Sequence, residues 1–84
     1  MNQIRVLDTH YLRPDRTINT ILVTNPEGRN RVVYEYNREG IYFKLFLSFQ
    51  ALFAYFLEDD GESFDGEFYS EEEIDSHLRS LEFY

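Results

Sequence analysis

The side chains of this chain that could do chemistry are sixteen carboxylates, seven tyrosines and two histidines, His10 and His77, with no cysteine. Nucleophilic catalysis needs a Ser, Thr or Cys beside a base that is itself oriented. No Gly-x-Ser-x-Gly elbow occurs, and no zinc spacing or phosphate-cradling glycine loop is present. His77 falls on the apolar stripe of a short helix and reads as a packing histidine. Carboxylates as dense and hydrophilic as these read as a solvated face rather than an acid/base pair. The chain is therefore expected to be non-enzymatic and to need no cofactor.

Asp60, Glu62, Asp65 and Glu67 recur at the short spacing that suits oxygen-liganded cations. A twelve-residue calcium loop aligned on Gly66 as its sixth position puts Ser63 third, Asp65 fifth and Glu72 last. It also puts Gly61 first, where an aspartate is required, so a low-affinity calcium site is only an alternative to the binding reading developed below.

The acidity is concentrated. Residues 1–57 hold seven Lys/Arg against five Asp/Glu, a net +2, whereas residues 58–84 hold Arg79 against eleven carboxylates, a net −10. A field of that sign repels nucleic-acid phosphates and attracts basic protein surfaces. Phe64, Phe68 and Tyr69 interleave with these acids. Carboxylates on a rigid scaffold steer the encounter with a basic groove, and aromatic side chains hold the complex. The candidate partner-binding residues are Asp59, Asp60, Glu62, Asp65, Glu67, Tyr69, Glu71, Glu72 and Asp75. The bland counterpart is that the aromatics close the core while the carboxylates keep the chain soluble.

Six segments must position these groups. Eighty-four residues with 43% hydrophobic and 18% aromatic content make one packed domain, with an acidic aromatic-rich segment at 58–84. The expected fold class is α+β, a three- to four-stranded antiparallel meander followed by two C-terminal helices packed on one face. Thr17–Thr24 is rich in β-branched residues and stops at Asn25-Pro26-Glu27-Gly28. Arg29–Tyr36 alternates Val32, Tyr34 and Tyr36 with Arg31, Val33 and Glu35, then turns at Asn37-Arg38-Glu39-Gly40. Ile41–Phe46 returns as a strand. In the first dozen residues Ile4, Val6 and Leu7 seed a further strand, ended by Arg13-Pro14-Asp15.

Ser48 caps a helix to about Leu57 in which Phe49, Leu52, Phe53 and Phe56 fall at helical spacing. That helix is apolar almost all round, so it needs the sheet on one side and a second element or a partner on the other. The second helix opens on a capping box, Ser70-Glu71-Glu72-Glu73, with Glu73 reaching back to the Ser70 amide. Ile74, His77, Leu78 and Leu81 form its docking stripe. Glu58–Tyr69 reads as an acidic loop.

The apolar run Ile41–Leu57 contains Lys44, Ser48 and Gln50 and reads as a strand passing into a buried helix rather than a bilayer span. The absence of cysteine and of a basic-then-apolar start points to a cytoplasmic setting.

In size, in three strands placed before two helices, and in the acidic aromatic segment Glu67-Phe68-Tyr69-Ser70-Glu71-Glu72-Glu73-Ile74 that opens a helix, the chain resembles the small acidic inhibitors that phages and mobile elements use against host nucleases, the DNA-mimicking anti-CRISPR proteins among them. The likeness covers architecture and charge over about the last sixty residues, while the positive-leaning first half and the aromatic first helix depart from it. It implies that acidic side chains between Asp59 and Asp75 contact basic residues of a nuclease or other nucleic-acid-binding protein. The alternative from a different class is a structural module that forms a homodimer or larger assembly through the aromatic helix.

Overall fold

The computed structural model describes residues 1–58 and 64–83. Five strands pair antiparallel in chain order: β1 (Gln3–Arg13), β2 (Arg16–Thr24), β3 (Asn30–Arg38), β4 (Tyr42–Phe46) and β5 (Gly66–Phe68). Helix α1 (Phe49–Leu57) lies between β4 and β5 in the chain, and α2 (Glu71–Arg79) follows β5. The fold is α+β, with one strand more than the meander of three or four expected. The extra strand, β5, sits in the segment read as an acidic loop and pairs Phe68 with Phe43 and Gly66 with Leu45. Three residues are too few to show a period-two pattern, so only the pairing reveals it.

Short connections set the register. Asn25 Oδ1 accepts from the Glu27 and Arg29 amides at 3.1 and 2.8 Å, closing the β2–β3 turn. Between β3 and β4, Glu39 and Gly40 take φ of 59° and 73°, and Asn37 Oδ1 accepts from the Gly40 amide at 2.9 Å. Strand β3 thus runs through Asn37 to Arg38, and the reversal falls one or two residues later than expected.

Alternation along the strands divides the sheet into two faces, and both are used. On one face Ile21, Val23, Val33, Phe43 and Leu45 pack against Ile74 and Leu78 of α2. On the other, Tyr36 and Phe46 pack against Leu52 of α1. The helices therefore do not share a face as expected; one covers each side. The cause lies in β4, where Phe43 and Leu45 face α2 while Phe46 faces α1. A strand apolar on both sides calls for cover on both.

Both helix caps form. Ser48 Oγ accepts from the Ala51 amide at 3.1 Å, and Ser70 Oγ accepts from the Glu73 amide at 3.2 Å. The reciprocal half of the second box differs from expectation: Glu73 Oε2 accepts from the Tyr69 amide at 3.2 Å, one residue earlier than Ser70. The chain ends meet at the other end of α2. Asn2, buried, donates its side-chain amide to the Leu78 and Leu81 carbonyls at 2.9 Å each, and its backbone amide to the Arg79 carbonyl at 2.9 Å.

Helix α1 is not the buried helix expected. Leu52 is its buried residue, while Phe49, Phe53, Phe56 and Leu57 are exposed, Leu57 by 69%. No other described element packs on its outer side. Among the described residues, no helix is long and apolar enough to cross a membrane.

Candidate functional site

The acidic face is built on α2. Three glutamates in its first turn suit the positive end of the helix dipole, which lets the helix tolerate adjacent carboxylates. Glu71, Ile74, Asp75 and Leu78 follow at i, i+3, i+4 and i+7, so the side that docks Ile74 and Leu78 also carries Glu71 and Asp75 to the sheet. Asp75 Oδ2 receives Arg79 Nε at 2.8 Å, and the second ion pair among the described residues is the distant Arg29–Glu27. Glu71 and Glu72 enter neither.

Facing α2, three neighbouring strands contribute one polar row. Thr9 of β1 stands opposite Asn19 of β2, which stands opposite Glu35 of β3. Thr9 Oγ1 donates to Asn19 Oδ1 at 2.7 Å, and Asn19 Nδ2 donates to Glu35 Oε1 at 2.9 Å. Glu35 is only 8% exposed. Burial pushes its carboxyl above the usual glutamate value, the Asn19 hydrogen bond partly opposes this, and the negative charge of Glu71 adds to it.

Between the row and the helix lies a cavity of about 380 Å³. Its walls are Ile4, Val6, Ile21, Ile74 and Leu78, and its polar lining is Asn19, Glu35, Glu71, Glu72 and Asp75. Among the described residues, no Lys, Arg, His, Ser or Cys lines it.

Of the expected binding residues, Glu71, Glu72 and Asp75 are brought together at this cavity. Glu67 and Tyr69 lie elsewhere, on and beside the edge strand β5, with the Tyr69 hydroxyl donating to Glu67 Oε1 at 2.5 Å and the Tyr69 ring against Tyr42 at 5.6 Å. The Tyr69 hydrogen bond holds Glu67 below its usual value and Tyr69 above its own. Asp65, exposed, is tied to β4: its Oδ2 accepts from the Leu47 amide at 2.8 Å, and its own amide donates to the Leu45 carbonyl at 2.8 Å. Asp59, Asp60 and Glu62 lie outside the described residues, as do three positions of the calcium loop. Among the described residues, no group of three or more His, Asp or Glu could hold a metal ion. His77 is exposed, its ring 5.1 Å from that of Phe68.

Glu67 also stands opposite Lys44 across β4 and β5. Lys44 is enclosed by aromatic rings, its ammonium 4.3 Å from the Phe64 centroid and 4.4 Å from that of Tyr55, with a 2.9 Å hydrogen bond to the Tyr55 hydroxyl. Burial works against its charge, but the contacts with Tyr55 and Tyr42 outweigh burial and hold the ammonium above its usual value. The cage ties α1 to β4 and leaves this cation unavailable to the α2 side.

Glu35 and Asn19 are the site residues that the sequence reading passed over. The signal was there: Glu35 shares the face of Val33, an inward position, and a charge two residues from a core valine on the same face calls for a reason. Comparisons with protein-family models, characterised proteins and solved structures found no match to this chain.

Proposed function

We propose that this protein is a non-enzymatic binding module, an inhibitor acting in the cytoplasm, that presents carboxylates to a basic surface of a partner protein such as a nuclease or other nucleic-acid-binding protein. The observation that carries the reading is the convergence of Glu71, Glu72 and Asp75 on one side of α2, around a cavity without a cationic lining residue. A short capped helix holds the carboxylates in fixed positions, so a partner need not order them on binding. Their charge raises the rate of encounter with a basic surface.

Capture from source-cell lysate tests this, with the wild-type chain and a Glu71→Lys/Glu72→Lys variant run side by side at low and high salt. The expected result is a basic protein held by the wild type, released by salt and missed by the variant, because exposed charges are screened over about 8–10 Å at physiological ionic strength. Equal capture by the charge-reversed variant would overturn the reading.

A second reading has its own observation, the exposed apolar face of α1. Phe49, Leu52, Phe53, Phe56 and Leu57 border a groove with His10, Leu12 and Ile18. A structural module would cover this face with a second copy of the chain, and such a contact withstands salt.

A further inference from the structure

The Glu35 carboxylate is more than nine-tenths buried, lines the α2 cavity, and has one hydrogen-bond donor among the described residues, Asn19 Nδ2, which reaches Oε1. Oε2 accepts from no described side chain, and among the described residues no cation stands in the cavity wall. A buried carboxylate without a counter-charge is costly, and replacing it by a neutral residue of the same shape would remove that cost. The cavity is also one-sided in its chemistry. Its polar side-chain lining is dominated by carboxylate acceptors, and of the Asn19 amide's two N–H groups one is engaged with Glu35. The complementary group is one that brings only donors and a positive charge. The remaining walls, Ile4, Val6, Ile21, Ile74 and Leu78, suit an aliphatic stem behind such a group. A volume of about 380 Å³ lies at the lower end of the roughly 300–1,000 Å³ that ligand pockets occupy.

We propose that this cavity receives the end of an arginine or lysine side chain from the basic partner, with the aliphatic stem against Ile21 and Ile74 and the guanidinium or ammonium group against the Glu35 carboxylate. The inference rests on the binding reading above and sharpens it: Glu71, Glu72 and Asp75 guide the cation to the mouth, and Glu35 receives it inside. A guanidinium carries five donors, enough to meet Glu35 and a carboxylate at the mouth together.

The test is a titration of isotope-labelled protein with butylguanidinium, followed by the amide resonances of Asn19, Glu35 and Ile74, with 1-pentanol as the uncharged control. Saturable shifts with butylguanidinium are expected, together with a loss of roughly tenfold or more in affinity for Glu35→Gln, as a hydrogen bond to a charged group is worth. Glutamine retains an oxygen for Asn19, and circular dichroism verifies that the variant is folded. An equal response to pentanol, or unchanged affinity in Glu35→Gln, would sink the inference.

A capped tri-arginine peptide separates the two sources of such a cation. Tighter binding of the peptide than of butylguanidinium supports a partner side chain, whereas equal binding would assign the cavity to a free amine and overturn the partner's role. Failure of the two readings is distinguishable. Lysate capture lost on Glu71→Lys/Glu72→Lys but untouched by Glu35→Gln would remove the cavity from recognition and leave the acidic face standing. Capture indifferent to both variants would overturn the acidic face, while the butylguanidinium titration still reports on the cavity alone.

Discussion

Asn19 Nδ2 donates to Glu35 Oε1 at 2.9 Å between adjacent strands, and this one amide is the described hydrogen-bond donor to a carboxylate that is 8% exposed. The facing charges are all of the same sign: Glu71, Glu72 and Asp75 from α2, with Arg79 engaged by Asp75. Glu35 therefore binds its proton more tightly in the folded chain than in the unfolded one. Its contribution to stability is greatest at low pH, declines as pH rises through the ordinary glutamate value of about 4.3, and reaches its full penalty above the raised folded value. Each unit of elevation corresponds to about 1.4 kcal/mol. Glu35→Gln is thus expected to be more stable than the wild type at pH 7 and to lose that advantage toward pH 4, as measured by urea unfolding across the range. A variant less stable at pH 7 would show that the carboxylate earns its place structurally.

Asn2 makes the opposite kind of prediction. Its side-chain amide meets the Leu78 and Leu81 carbonyls where α2 ends, and the Leu78 carbonyl also accepts from the Leu81 amide at 3.3 Å. Asn2→Ala leaves both without that donor in a buried setting and is expected to cost about 1–3 kcal/mol in thermal or urea unfolding. A cost below roughly 0.5 kcal/mol, the range of an ordinary surface change, would mean that the terminal clamp does not form in solution.

Alternation made β3 legible and helical spacing made both helices legible, while β2 and β4 were marked by β-branched or apolar content between turn residues. Ser48 and Ser70 marked the helix starts through the same hydroxyl-to-amide bond that the structure contains. Three features escaped for separate reasons. Strand β5 is too short to show a period. The placement of the helices on opposite faces depends on how β4 divides Phe43 and Leu45 from Phe46, which becomes meaningful only once the strand register is known. Of the site, the sequence showed the carboxylates of α2 because they are dense, but not Glu35, whose partner Asn19 is 16 residues away and becomes adjacent only by strand pairing.

Glu39 offers a prediction that leaves every side-chain contact of the site alone. It holds a left-handed conformation, φ 59°, in the β3–β4 connection, where asparagine is better tolerated than glutamate. Glu39→Asn is expected to raise stability by about 0.5–1 kcal/mol in urea unfolding, with salt-sensitive capture unchanged. A loss of stability would show that Glu39 makes a contribution beyond its backbone angle.

The aromatic face of α1 supplies the last prediction, and its position is what makes it independent of the others. Phe49 and Phe53 are 60% and 44% exposed, with their ring centroids 6.2 Å apart, and Phe49 stands edge-on to Tyr34 at 6.0 Å. Exposed rings in contact with one another, beside Leu12 and Ile18, form a patch whose burial would stabilise an assembly by about 25 cal/mol for each Å² of apolar surface covered. If a second copy covers it, the chain sediments at about twice its 10.2 kDa mass, and added salt strengthens the pairing by screening the net charge of −8 that each copy carries. Phe49→Ser/Phe53→Ser is then expected to sediment at the mass of one chain, with little change in unfolding free energy because neither ring is buried within the protomer. A wild type that remains at the mass of one chain at every concentration and salt would end that reading. Because α1 and α2 cover opposite faces of the sheet, dimerisation through α1 leaves the Glu35 cavity open in both copies. A dimeric wild type and an intact butylguanidinium response are therefore expected in the same sample.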